Sequence, residues 1–236
     1  MRAGLSPTFY RVAGIASFLS VVTTLMLIFL PQIFAPVAEG IPGRMQRVAD
    51  PVYQLRAWAY QVHPFLVFTG CLGVATACRR VSPALALAGI LSFGLWAITE
   101  AGQQSLTLFA FDDWRRAWLA GDPAVRASIE VRTVIYDGLW EAAYSLLLFG
   151  IILGSTFFSA MLLRLPDTLS RVVGAFFALA AIQSVFIQSG ELGGPVLPES
   201  LAFWIYPATQ PLARFLTGIW LLRVAIRGEP RVDAPA

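Results

Sequence analysis

A run of polar side chains stands inside an otherwise apolar stretch near the middle of the chain. Its members occupy positions i, i+3, i+4 and i+7, namely Glu100, Gln103, Gln104 and Thr107. This spacing places them on one side of an α-helix, with Trp96 one turn earlier. A carboxyl group in such a place can donate or accept a proton. We therefore predict that Glu100 is catalytic. Its neighbours Trp96, Gln103 and Gln104 are predicted to bind the substrate.

Four other apolar stretches carry polar or aromatic residues in similar helical spacing. They contribute His63, then Tyr136, Asp137, Trp140, Glu141 and Tyr144, then Gln188 and Glu191, and finally Tyr206, Gln210 and Arg214. Three of these, His63, Asp137 and Glu141, are predicted to act as acid, base or orienting group. The others are predicted to bind the substrate. Pro64 disfavours helical geometry at His63, the residue before it.

These acids would be expensive to bury in a membrane, which indicates a function for them. Four carboxyl groups (Glu100, Asp137, Glu141 and Glu191) accompany a single intramembrane Arg214. Like charges in a water-poor site cannot all stay ionised, so we expect one acid to hold a proton or a cation to be bound. A carboxyl group that stays neutral at pH 7 is a ready proton donor. Alternatively, the acids pair with Arg214 and with Tyr or Gln side chains to fix the helix register.

The composition indicates which elements position these residues. Hydrophobic residues make up 57% of the 236 positions and charged residues 13%, against roughly 25% charged in soluble domains. Apolar stretches of about 20 residues match the bilayer core. The chain is predicted to be a single all-α domain over 1–236, a polytopic integral membrane protein with a six-transmembrane-helix bundle. The predicted spans are 12–34, 57–78, 83–111, 131–163, 172–190 and 201–226.

Arginine placement predicts the orientation of the bundle. The short connections at Arg79–Arg80 and Arg164–Arg171 are basic, which favours a cytoplasmic position for them and for both termini (N-in/C-in). The two longer outer loops, 43–56 and 112–132, mix charges with aromatic residues and predict short amphipathic helices at the membrane interface. All 17 basic residues are Arg, a bias typical of GC-rich bacterial genes. We therefore expect a multi-pass protein of the bacterial inner (cell) membrane.

Several function classes are excluded by what the sequence lacks. It has no run of basic residues for nucleic acid, no nucleotide-binding glycine motif and no GxSxG nucleophile motif. Cys71 and Cys78 are too far apart along a helix to form a disulfide. No cofactor is predicted. A bound divalent cation remains an alternative, because carboxylates and one His could be its ligands, but no ligand spacing in the sequence assigns a metal site. Gly150 and Gly154 form a GxxxG spacing, which predicts a helix-packing surface.

Three functions compete. The first is acid/base chemistry of the isomerase or cyclase type on a lipophilic small molecule, with aromatic side chains lining the pocket and stabilising a carbocation. In size and in having acids within a small helical bundle, the chain is similar to membrane terpene cyclases and sterol isomerases, although no motif aligns with them. The second is a proton-coupled or cation transporter or binding protein. The third is a non-catalytic subunit or assembly factor of a membrane complex. Expected partners are membrane lipids, the lipophilic molecule, and a second copy of the chain or a larger complex.

Overall fold

The structure is a computed structural model that describes residues 6–230, with the side chains of residues 202 and 203 left out. Within that range the chain contains helices joined by loops, with no strands, and it forms eight α-helices. These are α1 (Pro7–Phe29), α2 (Gly40–Gln46), α3 (Pro51–Cys78), α4 (Pro83–Leu106), α5 (Asp112–Ala120), α6 (Pro123–Leu162), α7 (Thr168–Glu191) and α8 (Glu199–Arg227). The predicted all-α class is confirmed.

In the part of the chain that the structure describes, five helical segments are long and apolar enough to cross a membrane, which indicates a multi-pass membrane protein. They are Pro7–Ile33, Pro51–Cys78, Pro83–Ala120, Pro123–Leu162 and Thr168–Glu191, each near or above the roughly 20 residues that a bilayer core requires. Helix α8 has 29 residues but does not belong to this set.

The six long helices pack side by side in a closed ring. Around the ring the order is α1, α3, α4, α6, α7 and α8, and α8 packs against α1 to complete it. The contact between α7 and α8 is the sparsest of the six. A core of buried apolar side chains fills the ring on the side of Cys78, Phe158 and Leu221. The arrangement leaves a central space that every long helix borders.

The two ends of the ring differ. At one end, short connections over 79–82 and 163–167 join α3 to α4 and α6 to α7; we call this the short-loop end. At the other end, residues 30–50, which include α2, and residues 107–122, which include α5, fold over the ring; we call this the capped end. The amphipathic character of both segments predicts their position at an interface.

A π-helical turn over Thr107–Phe111 joins α4 to α5. Thr107 Oγ1 lies 2.7 Å from Tyr136 Oη of α6, and the Phe111 ring stacks on the Tyr136 ring with centroids 4.3 Å apart. Turns of this kind are rare and often occur at functional sites. The turn fixes α5 against α6.

Several helices begin or end away from the predicted limits. The segment predicted as 83–111 is α-helical only to Leu106, and α6 begins eight residues before the predicted 131. This early start has a local cause, because the Asp122 side chain accepts hydrogen bonds from the backbone N–H groups of Ala124 and Val125 at 2.9 and 3.0 Å. Such caps satisfy N–H groups that a helix start leaves free. The predicted interfacial helix over 112–132 is therefore only α5, and its remainder starts α6.

The prediction that Pro64 disfavours helical geometry at His63 is wrong. Helix α3 continues through Pro64, and α8 continues through Pro207 and Pro211. Pro64 is fully buried. Close packing in membrane bundles tolerates a proline within a helix, since neighbouring groups can satisfy the freed carbonyl.

Helices α4 and α6 approach each other at two glycines. A Cβ atom added to Gly150 would lie 2.9 Å from the Trp96 backbone nitrogen, and one added to Gly154 would lie 2.7 Å from the Phe93 ring. Both distances are too short for an ordinary carbon contact. The GxxxG spacing therefore forms the predicted helix-packing surface, and it holds the polar face of α4 toward the ring axis.

Asp50 caps α3 and ties the capped end to it. Its carboxylate accepts hydrogen bonds from the backbone N–H groups of Ala35 and Val52, both at 2.8 Å, and of Tyr53 at 3.4 Å. Burial alone would raise the pKa of Asp50, but these hydrogen bonds and the nearby Arg47 outweigh it and hold that pKa below its ordinary value. The carboxylate therefore stabilises the fold most when it is ionised.

Asp50→Ala is expected to lower the free energy of unfolding by about 2 kcal/mol, because it leaves three N–H groups without their acceptor. Since the folded pKa of Asp50 is depressed, its contribution is complete above the unfolded pKa of about 4 and is lost as the pH falls through the folded value. Thermal unfolding in detergent from pH 7 to pH 3 measures both effects. Asp122→Ala, which removes an exposed cap from α6, should cost about 1 kcal/mol. Equal losses for the two variants would contradict the role of Asp50.

Candidate functional site

A cavity of about 370 Å³ lies inside the ring, and all six long helices line it. We call it the central cavity. Its apolar wall includes Leu27, Ile28, Leu147, Leu148, Ile151 and Ile187, and its polar wall includes Arg56, Tyr60, His63, Glu100, Tyr206 and Arg214. This volume falls within the range of pockets that hold small molecules.

A hydrogen-bonded chain fixes Arg214 in the cavity wall. Arg214 Nη2 lies 3.2 Å from His63 Nε2, and His63 Nδ1 lies 2.7 Å from Thr23 Oγ1. Since an arginine only donates, His63 Nε2 accepts and the ring proton is on Nδ1, which donates to Thr23. Arg214 Nη1 also donates to Gln210 Oε1 at 2.7 Å. His63 therefore positions Arg214, and neither of its ring nitrogens is free for a ligand.

Glu100 and Arg214 face the same cavity without forming an ion pair. Glu100 is 4% exposed, and its carboxyl group makes no hydrogen bond or ion pair with any residue in the range 6–230. The guanidinium of Arg214 likewise contacts only neutral partners in that range, and its Nε is buried without an acceptor. Burying such groups unpaired costs several kcal/mol, so most buried polar groups find partners. Because Glu100 and Arg214 are exceptions to this rule, the wall of the central cavity that they share is a candidate functional site.

A second cavity of about 350 Å³ adjoins the first toward the capped end. We call it the capped-end cavity. The two cavities share three lining residues, Arg56, Tyr60 and Tyr144. In the other direction a small recess of about 60 Å³, lined mainly by apolar side chains such as Phe93 and Phe177, continues from the central cavity past Arg214. The connected space therefore changes from polar at the capped end to apolar toward the short-loop end.

Two ion pairs stand at the capped-end cavity. Arg44 donates to both oxygens of Asp137, at 2.7 and 2.5 Å, and this hydrogen bonding raises the pKa of the Arg44 guanidinium. Arg115 Nη1 donates to Asp112 Oδ1 at 2.8 Å, and Asp112 is completely buried. Both carboxylate oxygens of Asp137 are therefore committed to a bidentate pair with Arg44. Because neither oxygen is left without a partner, the geometry does not favour the predicted catalytic role of Asp137.

The structure brings most of the predicted residues to these cavities but separates some of the acids. The central cavity is lined by His63, Trp96, Glu100, Tyr144, Tyr206, Gln210 and Arg214, and the capped-end cavity by Gln103, Gln104, Tyr136, Asp137, Trp140 and Tyr144. Neither cavity includes Glu141, Gln188 or Glu191. Both of these glutamates are exposed, and Gln188 is buried with its amide 3.5 Å from Ser145.

The predicted four-acid cluster is therefore not formed, and the cavity is not carboxylate-rich. On α6 the cavity-facing stripe passes through Tyr136, Trp140 and Tyr144, which follow at the four-residue helical interval. Glu141 lies next to this stripe and points away from the cavity. Glu191 is the last residue of α7, so it lies beyond the wall.

The sequence prediction missed several residues of the site. Arg56 was placed in an outer loop, yet it lines both cavities. A signal was present, because Arg56, Tyr60 and His63 follow at i, i+4 and i+7 on α3 and so share a face. Thr23 and Gln183, which bonds to Thr209 at 3.2 Å, carry no comparable signal, since single polar residues in apolar helices are common.

Comparison with protein-family models, curated proteins and solved structures gives no match. The geometry of the site is thus the basis for its assignment. Within residues 6–230, no group of three His, Cys, Asp or Glu side chains is placed to hold a metal ion.

Proposed function

We propose that the protein binds a lipophilic small molecule in the central cavity and transfers a proton to or from it through Glu100, as an isomerase or cyclase would. The observation that carries the proposal is the Glu100 carboxyl group, buried and without a partner among the described side chains, at the wall of a cavity of about 370 Å³. A buried acid that faces a cavity is suited to proton transfer.

The remaining groups support this chemistry. Arg214, held by His63 and Gln210, can stabilise negative charge that develops on an oxygen of the ligand. The rings of Tyr60, Trp96 and Tyr206 line the same space and present surfaces suited to apolar or cationic groups. Because Glu100 and Arg214 form no direct ion pair with each other, the carboxyl group of Glu100 has no partner to displace before it acts on a bound molecule.

We also propose that α8 is a sixth span and that the protein resides in the bacterial inner membrane. Helix α8 closes the ring between α7 and α1, and its 29 residues exceed the length a span needs. The short-loop end carries Arg79, Arg80, Arg164 and Arg171, which favours a cytoplasmic position for that end by the positive-inside rule.

The test combines extraction with hydrogen exchange. The protein is purified in mild detergent, its co-purifying molecules are extracted and identified by mass spectrometry, and each is incubated with fresh protein in D₂O. The wild type is expected to bind one lipophilic molecule stoichiometrically and to catalyse deuterium incorporation at one of its carbons. Glu100→Gln should slow the incorporation by at least about 100-fold, because a glutamine amide cannot replace the carboxyl group as a proton donor or acceptor.

Glu141→Gln is the matched control, since Glu141 is an exposed acid that lines neither cavity. It is expected to exchange at the wild-type rate. Equal rates for the wild type and Glu100→Gln, or a stoichiometric molecule that exchanges no hydrogen, would overturn the proton-transfer proposal.

A second candidate is a proton-coupled carrier. It is favoured by the continuity of the two cavities through Arg56, Tyr60 and Tyr144, which gives a solute a route from the capped end to Glu100. In proteoliposomes, uptake of the extracted molecule driven by a pH gradient, without any hydrogen exchange at carbon, would favour the carrier over the enzyme.

A further inference from the structure

The charges around the capped-end cavity are not balanced. Arg44 is paired with Asp137 and Arg115 with Asp112, so these two pairs are neutral overall. Arg56 also lines the cavity, yet it forms no ion pair with a carboxylate in the part of the chain that the structure describes. One positive charge is therefore left over at the place where the two cavities meet.

Arg56 is held in a fixed position with its outer nitrogens free. Its Nε donates to the Leu27 carbonyl at 3.2 Å, and its guanidinium carbon lies 5.4 Å from the centre of the Tyr60 ring. Neither terminal nitrogen donates to any residue of the described range. A guanidinium fixed in this way presents a fork suited to two oxygens of one anion.

Gln104 supplies a second, independent indication of a ligand. It lines the capped-end cavity and is 4% exposed, and no side-chain or backbone group between residues 6 and 230 bonds to its amide. Its neighbour Gln103 differs, because its Nε2 donates to the Trp140 carbonyl at 2.9 Å. Most buried amides are hydrogen-bonded, so the open amide of Gln104 indicates a group that belongs in this cavity.

We propose that the capped-end cavity is the subsite for a single oxyanion head group, a carboxylate or a phosphate, of an amphiphile whose apolar part lies in the central cavity and its recess. The inference deepens the proposed function and rests on it for the position of the apolar part. The head group would accept hydrogen bonds from the terminal nitrogens of Arg56 and from the Gln104 amide. Because Gln104 follows Glu100 by one helical turn, the head group would lie next to the proton-transfer site.

The subsite is tested with probes that share one alkyl chain. Decanoate, decyl phosphate, decanol and decyltrimethylammonium are titrated into the full-length protein in a neutral detergent, and binding is measured by isothermal titration calorimetry. The two anions are expected to bind more tightly than decanol, and the cation is expected not to bind. Equal affinities for decanoate and decanol would overturn the proposal. If inorganic phosphate binds as tightly as decyl phosphate, the subsite holds a free anion, and the proposal that its ligand is an amphiphile is overturned.

Arg56→Gln is expected to weaken decanoate binding about tenfold or more, because a charge-assisted hydrogen bond is lost. Gln104→Leu, which retains the side-chain volume and removes the amide, should weaken decanoate binding by a smaller factor. This variant still tests the subsite if Arg56→Gln does not fold. Arg132→Gln is the matched control, since Arg132 is exposed and lines neither cavity. Unchanged decanoate affinity in both Arg56→Gln and Gln104→Leu would overturn the subsite.

The two proposals can fail separately. Glu100→Gln is expected to bind decanoate while losing hydrogen exchange. If decanoate binds through Arg56 and no molecule exchanges hydrogen in the wild type, the proton-transfer proposal fails and the subsite stands. If exchange requires Glu100 but Arg56→Gln binds decanoate as the wild type does, only the subsite fails.

Discussion

Asp112→Ala is expected to lower the free energy of unfolding by about 3–5 kcal/mol, the largest loss for any single substitution considered. Asp112 is completely buried and accepts hydrogen bonds from Arg115 at 2.8 Å and from Gln54 at 2.9 Å. Its removal leaves the buried Arg115 charge without compensation, which costs more than the pair itself contributes. Reversible unfolding in mixed detergent, followed by tryptophan fluorescence, measures the loss.

Asp113→Ala is the control for this substitution. Asp113 forms the same i, i+3 pair with Arg116 at 2.6 Å, but both side chains are more than half exposed, and exposed pairs of this kind contribute little. The double variant Asp112→Leu/Arg115→Met removes both buried charges and is expected to recover most of the lost stability. A loss of the same size in Asp112→Ala and Asp113→Ala would contradict the burial argument.

Gly150→Ala is expected to destabilise the protein by about 3 kcal/mol and to slow deuterium incorporation into the bound molecule as well. The added Cβ would lie 2.9 Å from the Trp96 nitrogen and 3.0 Å from the Ser92 carbonyl oxygen. Because both atoms belong to the backbone, α4 would have to move away from α6, and overpacking of this kind is costly. Trp96 precedes Glu100 by one turn, so the movement would displace the carboxyl group from the cavity wall.

Gly138→Ala provides the comparison on the same helix. A Cβ added to Gly138 meets nothing within 4 Å, so this variant should be neutral or more stable by up to about 1 kcal/mol, since alanine favours the helix. The thermal midpoints of the two variants in one detergent, together with their exchange rates, check the prediction. Similar midpoints for Gly150→Ala and Gly138→Ala would show that α4 and α6 do not pack as tightly as described.

The sequence was sufficient for the helical class and for most long helices, because apolar length in a bilayer is a strong constraint. It was less informative at helix ends, where local capping decides. Asp122 caps α6, which begins eight residues before the predicted span at 131. The apolar stretch that begins at 131 gives no indication of this earlier start. The same block pattern could not indicate that α3 continues through Pro64, since that depends on packing from neighbouring helices.

The site was predictable where one helix face held all the polar residues. On α4, Glu100 and Gln104 share a face that does line the cavities. On α6, Asp137, Glu141 and the aromatic residues beside them cover more than one face, and spacing alone could not decide which face turns inward. Which face of α6 turns toward the cavity depends on the close contact between α4 and α6 at Gly150, and this contact is a feature of the tertiary structure. Arg56 was missed because its charge suggested a loop, although it lies on α3.

The π turn at Thr107–Phe111 sets the chemistry of the capped end by shifting the helix phase. It contains one residue more than an α-helix would need, so every later side chain is rotated by one position. In an uninterrupted α-helix, Phe111 and Trp114 would take the positions that Asp112 and Arg115 now hold. The exposed pair Asp113–Arg116 repeats the buried pair one position later, and only the phase distinguishes the two. The burial of the Asp112–Arg115 ion pair at the capped end thus depends on a single surplus residue in the helix.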